Sequence, residues 1–289
     1  MSTFPIGVMV DSFNLGLTAG IRKAGEVGAA GVQIYAVSGE MAPENLSPAR
    51  RKEILAMIRD NGLVVSALCG DLGGHGFARA ADNPGKIARS KAIVDLALDL
   101  DTNVVTTHIG VIPAEDTHPR WQVMREACDE LGAYAAARGA FFAIETGPED
   151  AATLKHFLDS LSSRAVRVNL DPANFVMVTG QDPVEAVHLL KDYIVHTHAK
   201  DGVMKKKGDP EVIYNFFAEG GIGDLKLGDY FEETPLGQGA VPFEPYLQAL
   251  AASGYRGFLT IEREVGDQPE NDIRLAVEFL QHKLSRMVG

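Results

Sequence analysis

With only two cysteines, Cys69 and Cys128, the 289-residue chain has too few for a disulfide framework, and reduced thiols in a cytoplasmic protein are the expectation. No apolar run approaches the length needed to span a bilayer, and the opening MSTFPIGVMV lacks a basic stretch followed by an apolar one. Neither export nor a membrane partner is expected. Positive charge is scarce too: 27 Lys and Arg stand against 39 Asp and Glu, a formal net charge of -12 that would repel a phosphate backbone. A nucleic-acid partner is therefore disfavoured. Nor is there a sign of a nucleotide cofactor. The GEVGAAG run at Gly25–Gly31 precedes a strand instead of following one, and GDLGGHG and GQG lack the Gly-Lys-Ser/Thr of a phosphate-binding loop. Linkers, low-complexity tracts and composition shifts are absent as well, so a single domain over 1–289 is expected.

What the chain does contain is a rhythm. Short apolar runs bounded by turn residues alternate with longer amphipathic stretches, the pattern of parallel strand–helix units. The strand candidates are Pro5–Val10, Gly31–Tyr35, Leu63–Cys69, Asn103–His108, Phe141–Glu145, Val166–Asp171, Tyr193–His198 and Phe258–Glu262. Helical spacing predicts Pro48–Asp60, Pro84–Leu100, Arg120–Arg138 and Pro183–Leu190, the last opened by an Asp182 cap ahead of Pro183. Eight such units in roughly 250 residues predict an α/β fold, a (β/α)8 TIM barrel. One connection is out of step. Residues 201–241 carry Lys205, Lys206, Lys207, an apolar cluster at Val212–Phe217 and several glycines, far beyond the ~4–6 residues of an ordinary connection. A lid or binding insert is the favoured expectation; a solvated excursion or one that forms a homo-oligomer is the alternative.

Ionisable residues fall at telling places. His108, Glu145, Asp171, His198 and Glu262 end five successive strands, on the face where α/β barrels carry out chemistry. Alternation sharpens this, because residues two apart share a face. Phe142/Ile144, Val168/Leu170, Leu259/Ile261 and Val195/Thr197 would pack outward, which turns Glu145, Asp171, His198 and Glu262 inward above Ala143, Asn169, His196 and Thr260. Three carboxylates converging in a barrel repel one another unless a cation or protons neutralise them. A divalent metal is the economical solution, and three oxygen donors with one imidazole suit Mn²⁺, Mg²⁺ or Co²⁺ better than a thiolate-rich structural zinc site.

The runs FAIETG (Phe142–Gly147), VNLDPAN (Val168–Asn174), VHTHAKD (Val195–Asp201), PLGQGAVPF ending at Phe243, and GFLTIEREVG (Gly257–Gly266) resemble the sugar phosphate isomerase/epimerase family, also described as xylose isomerase-like TIM barrels. The likeness covers nearly the whole chain and is strongest from Val104 to Gly266. It implies that Glu145, Asp171, His198 and Glu262 bind one divalent metal, with Mn²⁺ ranked first, and that His108 of the His108-Ile109-Gly110 run faces substrate. It also implies proton abstraction next to a carbonyl through an enediolate, with Glu145 and Glu262 as base and conjugate acid on opposite faces. The chain departs from the ketose 3-epimerase pattern D-x-x-H, since Asp171-Pro172-Ala173 is followed by Asn174. Asn174 can hydrogen-bond substrate but cannot carry charge, which puts the sugar's identity in question. Loss of that histidine also removes a ligand that related apurinic endonucleases need.

Other candidates carry less. His75 and Asp71, in the glycine-rich stretch after the third strand, are within reach of substrate or are ordinary loop residues. Lys200 and Asp201 follow His198 and contact substrate or brace the site, and Arg263 and Glu264 have similar alternatives past the last strand. Cys69 has no basic partner nearby in sequence to make it a nucleophile. A metal-dependent isomerase or epimerase of a small sugar is thus the leading expectation. A dehydratase or lyase on a keto-polyol or oxidised glycoside shares its first step, and a non-catalytic sugar-binding barrel is the alternative of another class.

Overall fold

Proline, a capping side chain or both mark the start of most helices in the computed structural model, which describes residues 4–287. Helices α1 to α10 run over Leu17–Glu26, Pro48–Asp60, Asn83–Asp99, Pro119–Ala136, Ala151–Ser160, Pro172–Asn174, Pro183–Leu190, Pro210–Glu219, Phe243–Ala252 and Pro269–Met287. Ser47 Oγ accepts from Arg50 N ahead of α2, and Asp150, Asp182 and Asp209 do the same for the first turns of α5, α7 and α8. Each cap satisfies an amide that has no partner within its helix. The spacing-based bounds for α2 and α7 hold to the residue, whereas α3 and α4 start one residue earlier than expected and end one and two residues earlier.

Ten strands alternate with them: β1 Ile6–Met9, β2 Gly31–Tyr35, β3 Val64–Cys69, β4 Val104–Thr107, β5 Phe141–Glu145, β6 Val166–Leu170, β7 Ile194–Ala199, β8 Asp201–Met204, β9 Phe231–Thr234 and β10 Leu259–Ile261. Eight of them, β1 to β7 and β10, close a parallel barrel in which β10 sits between β7 and β1. Closure leaves no exposed sheet edge. The outward residues Phe142, Ile144, Val168, Leu170, Leu259 and Ile261 are buried in one large apolar core beneath the helices. Ala143 instead joins Ala67 and Val104 in a small separate cluster. Val195 packs there as well, although alternation predicts it on the outside. The cause is local: pairing steps from Val168↔Ile194 to Asn169↔His196, so Val195 is skipped and the strand is bulged.

The long connection after β7 is folded, which periodicity did not foresee. Its first and last strands, β8 and β9, pair antiparallel, and the apolar cluster becomes α8. Lys205 and Lys206 donate their amides to Tyr230 O, at the outer end of the β8–β9 pair, and the three lysine side chains are exposed. Asp201 pins the base by accepting from the amides of Gly202, Gly237, Gly239 and Val241. On the other side of the barrel mouth, the stretch after β3 lies against the one after β4. A Cβ on Gly76 would come 2.0 Å from Ile109 C, and its φ is +56°, so glycine is required for that approach.

Candidate metal centre and active site

Strand register brings the predicted ligands to one height. Glu145 ends β5, Asp171 follows β6, His198 lies near the end of β7 and Glu262 follows β10. One donor atom from each lies within 4.8 Å of the other three, and all four residues are buried. His198 Nδ1 is the hub, 3.3 Å from Glu145 Oε1, 3.3 Å from Glu262 Oε2 and 3.6 Å from Asp171 Oδ2.

In His198, Asp171 and Glu145 the remaining polar atom is contacted from outside, which aims the inner atom at the centre. Gln33 on β2 donates from Nε2 to Thr106 Oγ1 (2.8 Å), and its Oε1 lies 3.0 Å from His198 Nε2, which also stands 3.2 Å from Asn169 Nδ2. A proton on Nε2 leaves Nδ1 as a lone-pair donor, the form a metal requires. Asp171 Oδ1 accepts from the amides of Ala173 and Asn174 at the start of α6. Asn169 Nδ2 donates to Glu145 Oε2 at 3.4 Å. Below, His196 Nδ1 donates to Asn169 Oδ1 (2.9 Å) and its Nε2 accepts from Thr260 Oγ1 (3.0 Å). Burial and the neighbouring His198 hold His196 well below the usual histidine range, so it is a neutral spacer in the lower layer, as expected.

Asp171 Oδ2 and His198 Nδ1 are buried without a hydrogen-bond partner among the described residues. Buried polar atoms are rarely left so, and two aimed at one point fit a cation. The electrostatics agree. Burial alone would lower the His198 pKa, yet Glu262, Glu145 and Asp171 drive it well above its ordinary value. The cluster thus demands positive charge at its centre, and these four residues can hold a divalent metal.

Around the centre lies a cavity of about 280 Å³. His108 lines it, with Nε2 3.8 Å from Glu145 Oε1, and its ring meets Tyr214 of α8 edge to face at 6.3 Å. Asn174 lines it too, although its Nδ2 is committed to Thr146 O at 2.9 Å. Lys200 Nζ reaches Glu262 Oε2 at 3.0 Å and also pairs with Glu264. Glu262 is consequently held below the usual carboxylate range, because His198 and Lys200 together outweigh the effect of burial. Of the two roles weighed for Lys200, bracing is the one with a visible contact. Asp71 and Cys69 line the cavity, and burial, with Asp71, pushes the thiol well up, leaving it inert. His75 is placed elsewhere. Its Nε2 lies 3.2 Å from Glu219 Oε1, at the seam between the glycine-rich stretch and α8, and it is not among the residues lining the cavity. Asp201 and Arg263 turn away as well; Arg263 pairs with Glu233 and Asp272.

Sequence reading missed several groups. Tyr35 ends β2 and lines the cavity, so the strand-end rule applied to the others would have found it. Gln33, fully buried in an apolar strand, had a signal in its polarity alone. Tyr214, Phe217 and Glu233 come from the excursion, whose fold has no barrel period to read.

Residues 21–283 match the family model of the xylose isomerase-like TIM barrel. Inosose dehydratase of Clostridium botulinum (strain Alaska E43 / Type E3) is 24% identical over 169 residues, covering 56% of this chain and 53% of that protein. The chain therefore spans about half the length of the curated relatives it matches. The crystal structure of a xylose isomerase domain protein from Planctomyces limnophilus is similar at a TM-score of 0.79 and 25% identity, over 99% of this chain and 98% of that one. A D-psicose 3-epimerase with D-tagatose, from Clostridium cellulolyticum H10, shares the fold at a TM-score of 0.71 and 16% identity, over 97% and 99% of the two chains.

Proposed function

The chain belongs to the xylose isomerase-like TIM barrel family, and from that premise we propose that it is a divalent-metal-dependent sugar isomerase or epimerase acting on the carbon next to a carbonyl. The observation that carries this reading is the placement of Glu145 and Glu262, on separate strands, at equal 3.3 Å distances from His198 Nδ1. Two carboxylates facing one centre suit removal of a proton from one face of a carbon and its return to the other. Glu145, Asp171, His198 and Glu262 would hold the cation, with Mn²⁺ preferred over Mg²⁺ and Co²⁺. A divalent cation supplies Lewis-acid polarisation of a carbonyl and its adjacent hydroxyl.

The chain's own residues then divide the work. Glu145 accepts the proton at a carboxylate oxygen while Asn169 holds its second oxygen. Lys200 keeps Glu262 ionised and oriented. His108 and Asn174 contact substrate hydroxyls. The 201–241 excursion is the lid of a single barrel spanning 1–289, with Tyr214 set over His108 to exclude water. A reducing, cytoplasmic location goes with two free, buried thiols.

The second reading is a metal-dependent dehydratase, favoured by the 24% identity to inosose dehydratase. It begins with the same proton removal and ends in expulsion of a hydroxyl. Incubation with a panel of ketoses and keto-polyols in D₂O and Mn²⁺, followed by NMR, separates the two. Deuterium next to the carbonyl with a new epimer or isomer supports the first, and loss of water supports the second. Saturable binding without either would leave a sugar-binding barrel.

A further inference from the structure

Resting on that reading of the site, we infer that the substrate is an uncharged sugar bearing an apolar group at the end remote from the reacting carbons, and that anionic sugars are rejected. The first support is charge. Asp71, Glu145, Glu262 and Glu264 line the cavity, and Lys200, already paired with Glu262 and Glu264, is its one lysine; among the described residues no arginine lines it. Phosphate and carboxylate groups are gripped by arginine forks, by lysine or by free backbone amides. Two amides near the mouth are already engaged. Gly73 N donates to Asp71 Oδ1 (2.9 Å), and Glu211 N at the start of α8 donates to Asp209 Oδ1 (2.9 Å).

The second support is the wall beyond His108, which stands between the ligand Glu145 and Tyr214. Ile213, Tyr214 and Phe217 of α8 line the cavity on that side, and Val178 and Pro148 add further apolar lining. Tyr214 donates its hydroxyl to Gly74 O at 3.3 Å, so it presents ring rather than polar oxygen. A terminal sugar hydroxyl seated there would lose water and find no partner, whereas an apolar group would be stabilised. Phe217 is 63% exposed, a large aromatic at the rim that the chain does not cover. A cavity of about 280 Å³ suits one sugar ring with a compact substituent reaching toward that rim.

A matched series varied only at C6 tests this: D-fructose, D-fructose 6-phosphate and 6-O-benzyl-D-fructose. Each is titrated by calorimetry into the full chain, once with Mn²⁺ and once after chelation, and exchange at C3 in D₂O is followed by NMR. The benzyl ether should bind at least tenfold more tightly than fructose and the phosphate at least tenfold more weakly. Phe217→Ser should erase most of the benzyl advantage. Phosphate binding equal to or tighter than fructose, no benzyl preference (including no binding at all), or a preference that survives Phe217→Ser would each overturn the inference. Benzyl-selective binding with no isotope exchange would instead sink the proton-abstraction reading and leave the substrate class standing.

Discussion

Glu145 and Glu262 differ in surroundings although they share a centre: His108 and Asn169 hold the first, Lys200 the second. Replacing either by glutamine keeps the shape and an oxygen donor but removes the proton acceptor. Glu145→Gln and Glu262→Gln should each lower isotope exchange by ~10²–10⁴-fold while substrate affinity changes only a few-fold, with metal content measured in every variant. Parent-rate exchange by metal-replete Glu262→Gln would end the two-glutamate mechanism. One layer out, Gln33→Leu takes away the carbonyl oxygen that faces His198 Nε2, and Mn²⁺ affinity should fall ~10–100-fold by metal titration with little change in the fold. Asn174→His would give up the bond to Thr146 O and introduce a titratable ring, so it should shift the order of preferred sugars more than the metal affinity.

At the scale of the element, the excursion between β7 and α9 is tied to the barrel by buried charge. Asp201 gathers four backbone amides, and Glu233 on β9 joins Arg263 at 2.6 Å beside Lys200. Asp201→Ala strands those donors, and an unsatisfied buried donor costs about 1–3 kcal/mol. Hydrogen exchange by mass spectrometry should show faster exchange over residues 237–241, with barrel strands such as β5 unaffected. Equal protection in both proteins would mean that the turn holds itself without Asp201. The lid role proposed for α8 belongs to this scale as well, since the contact of Tyr214 with His108 depends on those anchors.

For the whole molecule, a cation held by Glu145, Asp171, His198 and Glu262 would link folding to binding, because those side chains come from four strand ends that an unfolded chain cannot assemble. Added Mn²⁺ should raise the Tm in proportion to the logarithm of its concentration, about 2.7 kcal/mol of stabilisation at 100 times Kd, and Asp171→Asn should abolish the effect. A second dependence comes from Glu149, which burial pushes up to about 8 against the opposing pull of His108 and the Ile112 amide. Below its ordinary value near 4.5 both states carry the proton; above it the unfolded carboxyl ionises while the folded one does not, so stability is lost as pH rises toward 8. Urea midpoints of the metal-free protein should therefore fall between pH 5 and pH 8, and Glu149→Gln should remove a slope worth on the order of a few kcal/mol. Identical slopes in the two proteins would show that Glu149 ionises freely in the fold.

Which properties could be read before folding, and which could not, follows from the range of the forces involved. Strand positions, helix starts at Ser47-Pro48 and Asp182-Pro183, and the strand-end placing of Glu145, Asp171, His198 and Glu262 rest on contacts within a few residues, so period and capping chemistry determine them. The barrel as a whole was legible for the same reason, since eight repeats of one local unit have one economical way to close. The skipped Val195 is a mismatch between neighbouring strands, and no residue within β7 announces it. Gln33 meets His198 across 165 positions of sequence, and Tyr214 meets His108 only because Asp201 and Glu233 fold the excursion back over the mouth. Those long-range pairings decide which nitrogen of His198 faces the centre and what kind of wall the cavity presents. They exist only once the barrel has closed and brought distant segments within hydrogen-bonding distance, which is why tertiary structure alone could settle them.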